Sequence, residues 1–187
     1  MYPRDLQHGD VLLYEKGSKH GTLLGRLIRL ITGSRFTHTA IVLQNCNHER
    51  FVVEQSGVVS VTNVSNYKFT QPTKITVWRN DSLWLTQDAM HMAWRMTGVK
   101  YGVANLFEIM LQHLLGRVLK GWRWNPVFLP PDRLKCTCSG LVAKILVAGI
   151  RPLEKSRHFA KTTIVEPDDF NELRGFRQIG VMSDGND

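Results

Sequence analysis

One cysteine, one histidine and one glutamate stand in this sequence where they could carry out acyl transfer. Cys138 lies where a loop containing Pro126, Pro130 and Pro131 gives way to the apolar run Leu141, Val142, Ile145 and Leu146. A thiol at the start of a helix faces the positive end of the helix dipole, which favours the thiolate. The amides of the first turn point the same way, and that of Cys138 itself is placed to donate to a developing oxyanion. Ser139 and Gly140 are small enough to let a carbonyl approach the sulfur, which makes Ser139 a substrate-binding candidate. His38 and Glu54 fall in two segments rich in β-branched residues, 37–43 and 51–54, on either side of the polar stretch 44–50. Read as a hairpin centred near Cys46, this pairing sets His38 directly across from Glu54, with Cβ atoms about 5 Å apart. A carboxylate at that distance orients an imidazole and stabilises its charged form. A slip of one residue would put the two on opposite faces, in which case Gln55 takes the place of Glu54. Thiolate, imidazole and orienting polar group are the set that cysteine acyl transfer requires, whatever their order along the chain.

The elements that must position these groups are legible in outline. Gly9-Asp10 precedes a short buried strand, Val11 to Tyr14. Thr22 caps a helix in which Leu23, Leu24, Leu27, Ile28 and Ile31 recur at helical spacing, with Gly33 placed to end it. Strands follow at 37–43, 51–54, 58–64 and 75–78, which together predict a small antiparallel sheet. The second half is helical: Leu85, Ala89, Met92, Ala93 and Met96 share one face, another helix runs over 104–119, and a third follows Cys138 and ends near Gly149. Between them lies a loop rich in tryptophan and proline. The expectation is an α+β fold with helices packed on one sheet, forming one domain over 1–182 with a frayed tail at 183–187.

In order, Gly9-Asp10, then Gly33-Ser34-Arg35-Phe36-Thr37-His38-Thr39-Ala40-Ile41-Val42, Val52-Val53-Glu54, and Cys138-Ser139-Gly140-Leu141-Val142 resemble the circularly permuted NlpC-type, papain-like family. That family includes the YiiX-like proteins and is related to lecithin retinol acyltransferase. The histidine strand there precedes the cysteine helix, as here, and Glu166 to Phe170 resembles the family's closing Pro-Asp segment. The resemblance implies a nucleophile at Cys138, a base at His38, a third polar residue at Glu54 and a cysteine hydrolase acting on an amide of a cell-wall peptide. Its lipid-acting relatives imply, alternatively, hydrolysis or transfer of a lipid acyl group. Where the family often has Tyr-Asp, this chain has Tyr101-Gly102, which leaves Tyr101 as a substrate-binding candidate without the aspartate. The apolar stretch 107–124 is longer than the family pattern and reads as a substrate cover or a membrane-facing element.

Composition bounds these readings. The chain has 187 residues, 43% hydrophobic and 21% charged, which excludes a disordered chain, and it has no uninterrupted apolar run of membrane-spanning length. Its net charge of +8 favours an acidic partner such as a cell-wall polymer or an anionic lipid surface. Lys and Arg are scattered rather than clustered, so specific nucleic-acid binding is not expected, and the charge also suits a non-catalytic module that holds an anionic polymer. Three cysteines make no disulfide framework. Cys136 and Cys138, with His158, lack the paired spacing of a structural zinc site, and the chemistry calls for no cofactor. Cys46 reads as a bystander in its loop; His20, His48, His91, His113 and His158 have no partner that the sequence identifies. The residues after Met1 lack the basic-then-apolar pattern of a secretory leader, so the expectation is a cytoplasmic protein that reaches an outer compartment by lysis or on a particle.

Overall fold

The computed structural model describes residues 1–16, 34–69, 73–82, 84–100, 102, 137–150 and 175–182. Among them are six strands: β1 (Val11–Lys16), β2 (His38–Gln44), β3 (Arg50–Gln55), β4 (Val59–Asn63), β5 (Thr73–Arg79) and β6 (Arg177–Met182). They form one sheet in the order β4-β3-β2-β1-β5-β6, and every neighbouring pair is antiparallel. Two helices, α1 (Gln87–Met96) and α2 (Cys138–Gly149), pack against each other and reach β2. The fold is thus α+β, as expected.

β2 lies inside the sheet, and its sequence shows it: Thr39 through Leu43 are all fully buried. A strand covered on both faces can be apolar without alternation. Ile41 and Leu43 join Val11, Leu13 and Val53 beneath the helices, which contribute Ala89, Met90, Ala93, Leu141, Ile145 and Leu146. Ala40 and Val42 point the other way, with Leu12, Val52, Ile75 and Val77, and are covered there by Leu6, Val64 and Met182. Leu141, Ile145 and Leu146 are completely buried. At roughly 1.5–3 kcal/mol for each such side chain, they anchor α2 more firmly than its ends could.

The Gly9-Asp10 pair ties the first strand to the rest. Gly9 adopts φ +88°, a left-handed conformation that favours glycine. Its amide donates to the Val42 carbonyl, and the Val42 amide donates to the Asp10 carbonyl. The Asp10 carboxylate is fully buried, receives the Gln7 amide at 2.7 Å, and is gripped by Arg79 at 2.7 and 2.8 Å, one guanidinium nitrogen to each oxygen. A buried carboxylate is tolerable only when satisfied in this way.

The strands expected at 51–54, 58–64 and 75–78 correspond to β3, β4 and β5. β1 runs two residues beyond its expected end because Glu15 and Lys16 continue the pairing with β5. β6 has no counterpart in the sequence reading. It adds at the edge beside β5 through a shift in register between Val77 and Trp78. The helices expected at 22–31 and 104–119, the aromatic loop at 122–131, the closing segment 166–170 and the tail 183–187 lie outside the described residues.

Candidate active site

Thr137 starts the helix that carries the sulfur. Its backbone is extended, and its hydroxyl accepts the Gly140 amide at 3.1 Å, an N-cap that satisfies one donor of the first turn. Cys138 is therefore the first helical residue, at the positive end of α2, as expected. Its side chain is buried to 6% exposure. Ser139 is also buried, its hydroxyl 3.4 Å from that of Thr137, so what it turns toward the sulfur is its backbone amide.

His38 opens β2 and Glu54 stands near the end of β3. The register differs from the expected one: Glu54 pairs with Ala40, not His38, because the hairpin turns about Asn47 rather than Cys46. The reason lies in Asn45, whose side-chain oxygen accepts the amides of Asn47 and Glu49 and fixes a loop with His48 at φ 64°. A shift of two residues keeps both side chains on one face. His38 reaches diagonally, and its Nε2 lies 2.8 Å from Glu54 Oε2. Gln55, the alternative, points to the opposite face, is buried, and donates to the Val99 carbonyl.

With Nε2 taken by Glu54, Nδ1 is the ring nitrogen left for Cys138, the other group whose charge acts on His38. Burial works against a charged His38, but hydrogen bonds to Cys138 and Glu54 and the negative charge of both outweigh it, raising its pKa to about 10. Burial likewise opposes a charged Cys138; the hydrogen bond and charge of His38, with the amides of Thr39 and Ser139, lower its pKa overall. Glu54 is lowered too, burial being overcome by the bond and charge of His38 and by a bond from Tyr67. The arrangement favours a thiolate beside an imidazolium. His38 keeps 22% of its side-chain surface exposed.

Two further residues belong to this cluster and escaped the sequence reading. Tyr67, in the loop after β4, donates to Glu54 Oε2 at 2.9 Å, and Tyr14 of β1 lies 2.9 Å from the Tyr67 hydroxyl. The Tyr14 ring also meets that of His38 edge to face, with centroids 5.1 Å apart. Only the strand order, which seats Tyr14 directly across from His38, could have singled them out. Tyr101 lies outside the described residues, as do Cys136 and His158.

The opposite end of the β2-β3 hairpin holds a cavity of about 790 Å³ whose lining includes His8, Cys46, His48 and Trp84. Its histidines are committed elsewhere: His8 Nδ1 accepts the Gln44 amide and Nε2 meets the Leu85 carbonyl, while His48 Nδ1 accepts from the Gln44 side chain. Cys46 is exposed and bonds only to its neighbour Asn47 among the described residues.

No family model matches this chain, and no curated protein is matched. Its structure is similar to that of the metalloprotein YiiX from Escherichia coli O157:H7, with a TM-score of 0.61 over 95% of this chain and 98% of that one, at 17% identity. The chain thus has the permuted papain-like, NlpC-related fold. Among the described residues no three His, Cys, Asp or Glu side chains are grouped to hold a metal ion. Among the described residues no helix is long and apolar enough to cross a membrane.

Proposed function

We propose that the protein is a cysteine hydrolase in which Cys138 is the nucleophile, His38 the acid and base, and Glu54 the group that orients His38. One observation carries this reading: a thiol at a helix N-terminus interacts with a histidine whose Nε2 is held by a carboxylate at 2.8 Å. The Cys138 thiolate attacks a substrate carbonyl carbon, forming a C–S bond and an oxyanion, toward which the Cys138 amide is directed. The C–N bond breaks as His38 gives its proton to the departing amine, leaving a thioester. Neutral His38 then takes a proton from water, the hydroxide displaces sulfur, and the thiolate and imidazolium are restored as the acid departs.

The substrate class that best accords with the fold and the basic surface is an amide in a cell-wall peptide. A basic protein approaches an anionic wall polymer with electrostatic help. Peripheral contact with an anionic lipid surface would draw on the same charge. The test is release of amine from peptidoglycan-derived peptides, with an acyl ester lipid as the second substrate. Wild-type turnover of the peptides, lost on the order of 10⁴-fold in Cys138→Ala, supports the proposal. Turnover of the lipid alone would move the substrate to the acyl class. Equal turnover by wild type and Cys138→Ala would overturn the nucleophile.

A further inference from the structure

Glu54 and the three side chains around it close a ring, and the chemistry of the carboxylate fixes every proton in it. Ionised Glu54 can only accept, so His38 Nε2 and the Tyr67 hydroxyl both donate to the same oxygen, Oε2. The single hydroxyl hydrogen of Tyr67 is thereby spent. The 2.9 Å contact between the two tyrosines must then run from Tyr14 to Tyr67. From Tyr14 the ring returns to its start, because the aromatic face and edge of Tyr14 and His38 are in contact. β1, β2, β3 and the loop after β4 each supply one member. Among the described residues the titratable groups facing Glu54 are His38 and Tyr67, with Tyr14 behind them and Cys138 reached through His38.

We infer that Tyr67 and Tyr14 are positioning residues, which hold the Glu54 carboxylate ionised and the His38 ring in one orientation toward Cys138. The inference rests on the proposed roles of Cys138 and His38. A buried carboxylate with one donor is easier to protonate than one with two, and a hydrogen bond that is itself fed by a second donor is stronger. The burial of both hydroxyls makes them poor acids, and their protons stay in place as donors. Tyr14 also blocks rotation of the imidazole out of line with the sulfur.

Two readouts test this, the rate of Cys138 alkylation by iodoacetamide between pH 4 and 10 and the His38 ring-proton resonances over the same range. In Tyr67→Phe the acid limb of the alkylation profile should move up by about one pH unit, the shift expected from losing one hydrogen bond to a charged group. In Tyr14→Phe, which keeps the ring against His38, it should move in the same sense by less. If Tyr67→Phe does not fold, Tyr14→Phe carries the test alone. Loss of thermal stability with an unmoved profile and unmoved His38 resonances would overturn the inference. If wild-type Cys138 alkylates no faster than a free thiol, the nucleophile reading fails instead, and the resonances alone decide the role of the tyrosines.

Discussion

His38 and His8 sit at opposite ends of the same strand region, about 20 Å apart along β2, and burial pushes both toward the neutral form. Their outcomes are opposite. His38 faces two groups that become anions, and its pKa rises to about 10. His8 faces a backbone carbonyl and a backbone amide, neither of which carries charge; burial prevails and its pKa falls. Both rings are hydrogen-bonded to neighbouring groups. What separates a charged histidine from a structural one is therefore the charge of its partners, not its burial. The two cysteines repeat the contrast: Cys138 is buried, with His38 and two amides around it, whereas Cys46 lies in the solvent on a turn.

Converting one histidine environment into the other should have the largest effect. Glu54→Gln leaves a neutral hydrogen-bonding group beside His38, as at His8, and should lower hydrolysis by roughly 10²–10⁴-fold, measured as turnover at pH 7. The pH profile of Cys138 alkylation is the next test. The acid limb of the wild-type profile should lie below that of a free cysteine, whose pKa is about 8.5 and whose rate climbs roughly tenfold per unit below that value. A Cys138 rate that climbs like the free thiol would erase the distinction.

Stability should show the same asymmetry more weakly. His38 has its pKa raised from 6.5 to about 10, so the stabilisation it supplies is complete below 6.5 and is lost as pH rises through about 10. Glu54 is lowered from 4.5, so its contribution is complete above 4.5 and is lost as pH falls through its folded value. His8 behaves differently: below 6.5 the unfolded chain binds its proton more readily than the folded one, and stability declines on acidification. The smallest effect is expected in His8→Gln, which should cost about 1–3 kcal/mol in urea unfolding, flatten the acid-side slope below pH 6.5, and leave turnover unchanged.

Much of the site was legible because it is local. Cys138 precedes an apolar helical run, and His38 and Glu54 lie on segments whose β-branched residues mark them as strands. The register was not, since hydrophobic pattern fixes the face of a strand while the turn is set by bonds such as those of the Asn45 side chain. A displacement of two residues preserved the face and hence the pairing. Tyr14 and Tyr67 were hidden for a different reason: their positions depend on which strands are neighbours, and β1 beside β2 is a fact of topology. β6 was missed because Arg177 to Met182 is half exposed and lacks clear alternation.

Gly149 closes α2 at the end away from the sulfur, where a Cβ would come within 2.6 Å of the Ala89 Cβ on α1. Eleven residues of helix, about 17 Å, separate it from Cys138. The bare backbone at Gly149 works as a depth stop: α1 and α2 meet there with nothing between them, and a rigid rod so seated delivers its far tip at one height above the sheet. The placement of the Cys138 sulfur is in this way set by the smallest residue in the chain, at the other end of the helix that bears it.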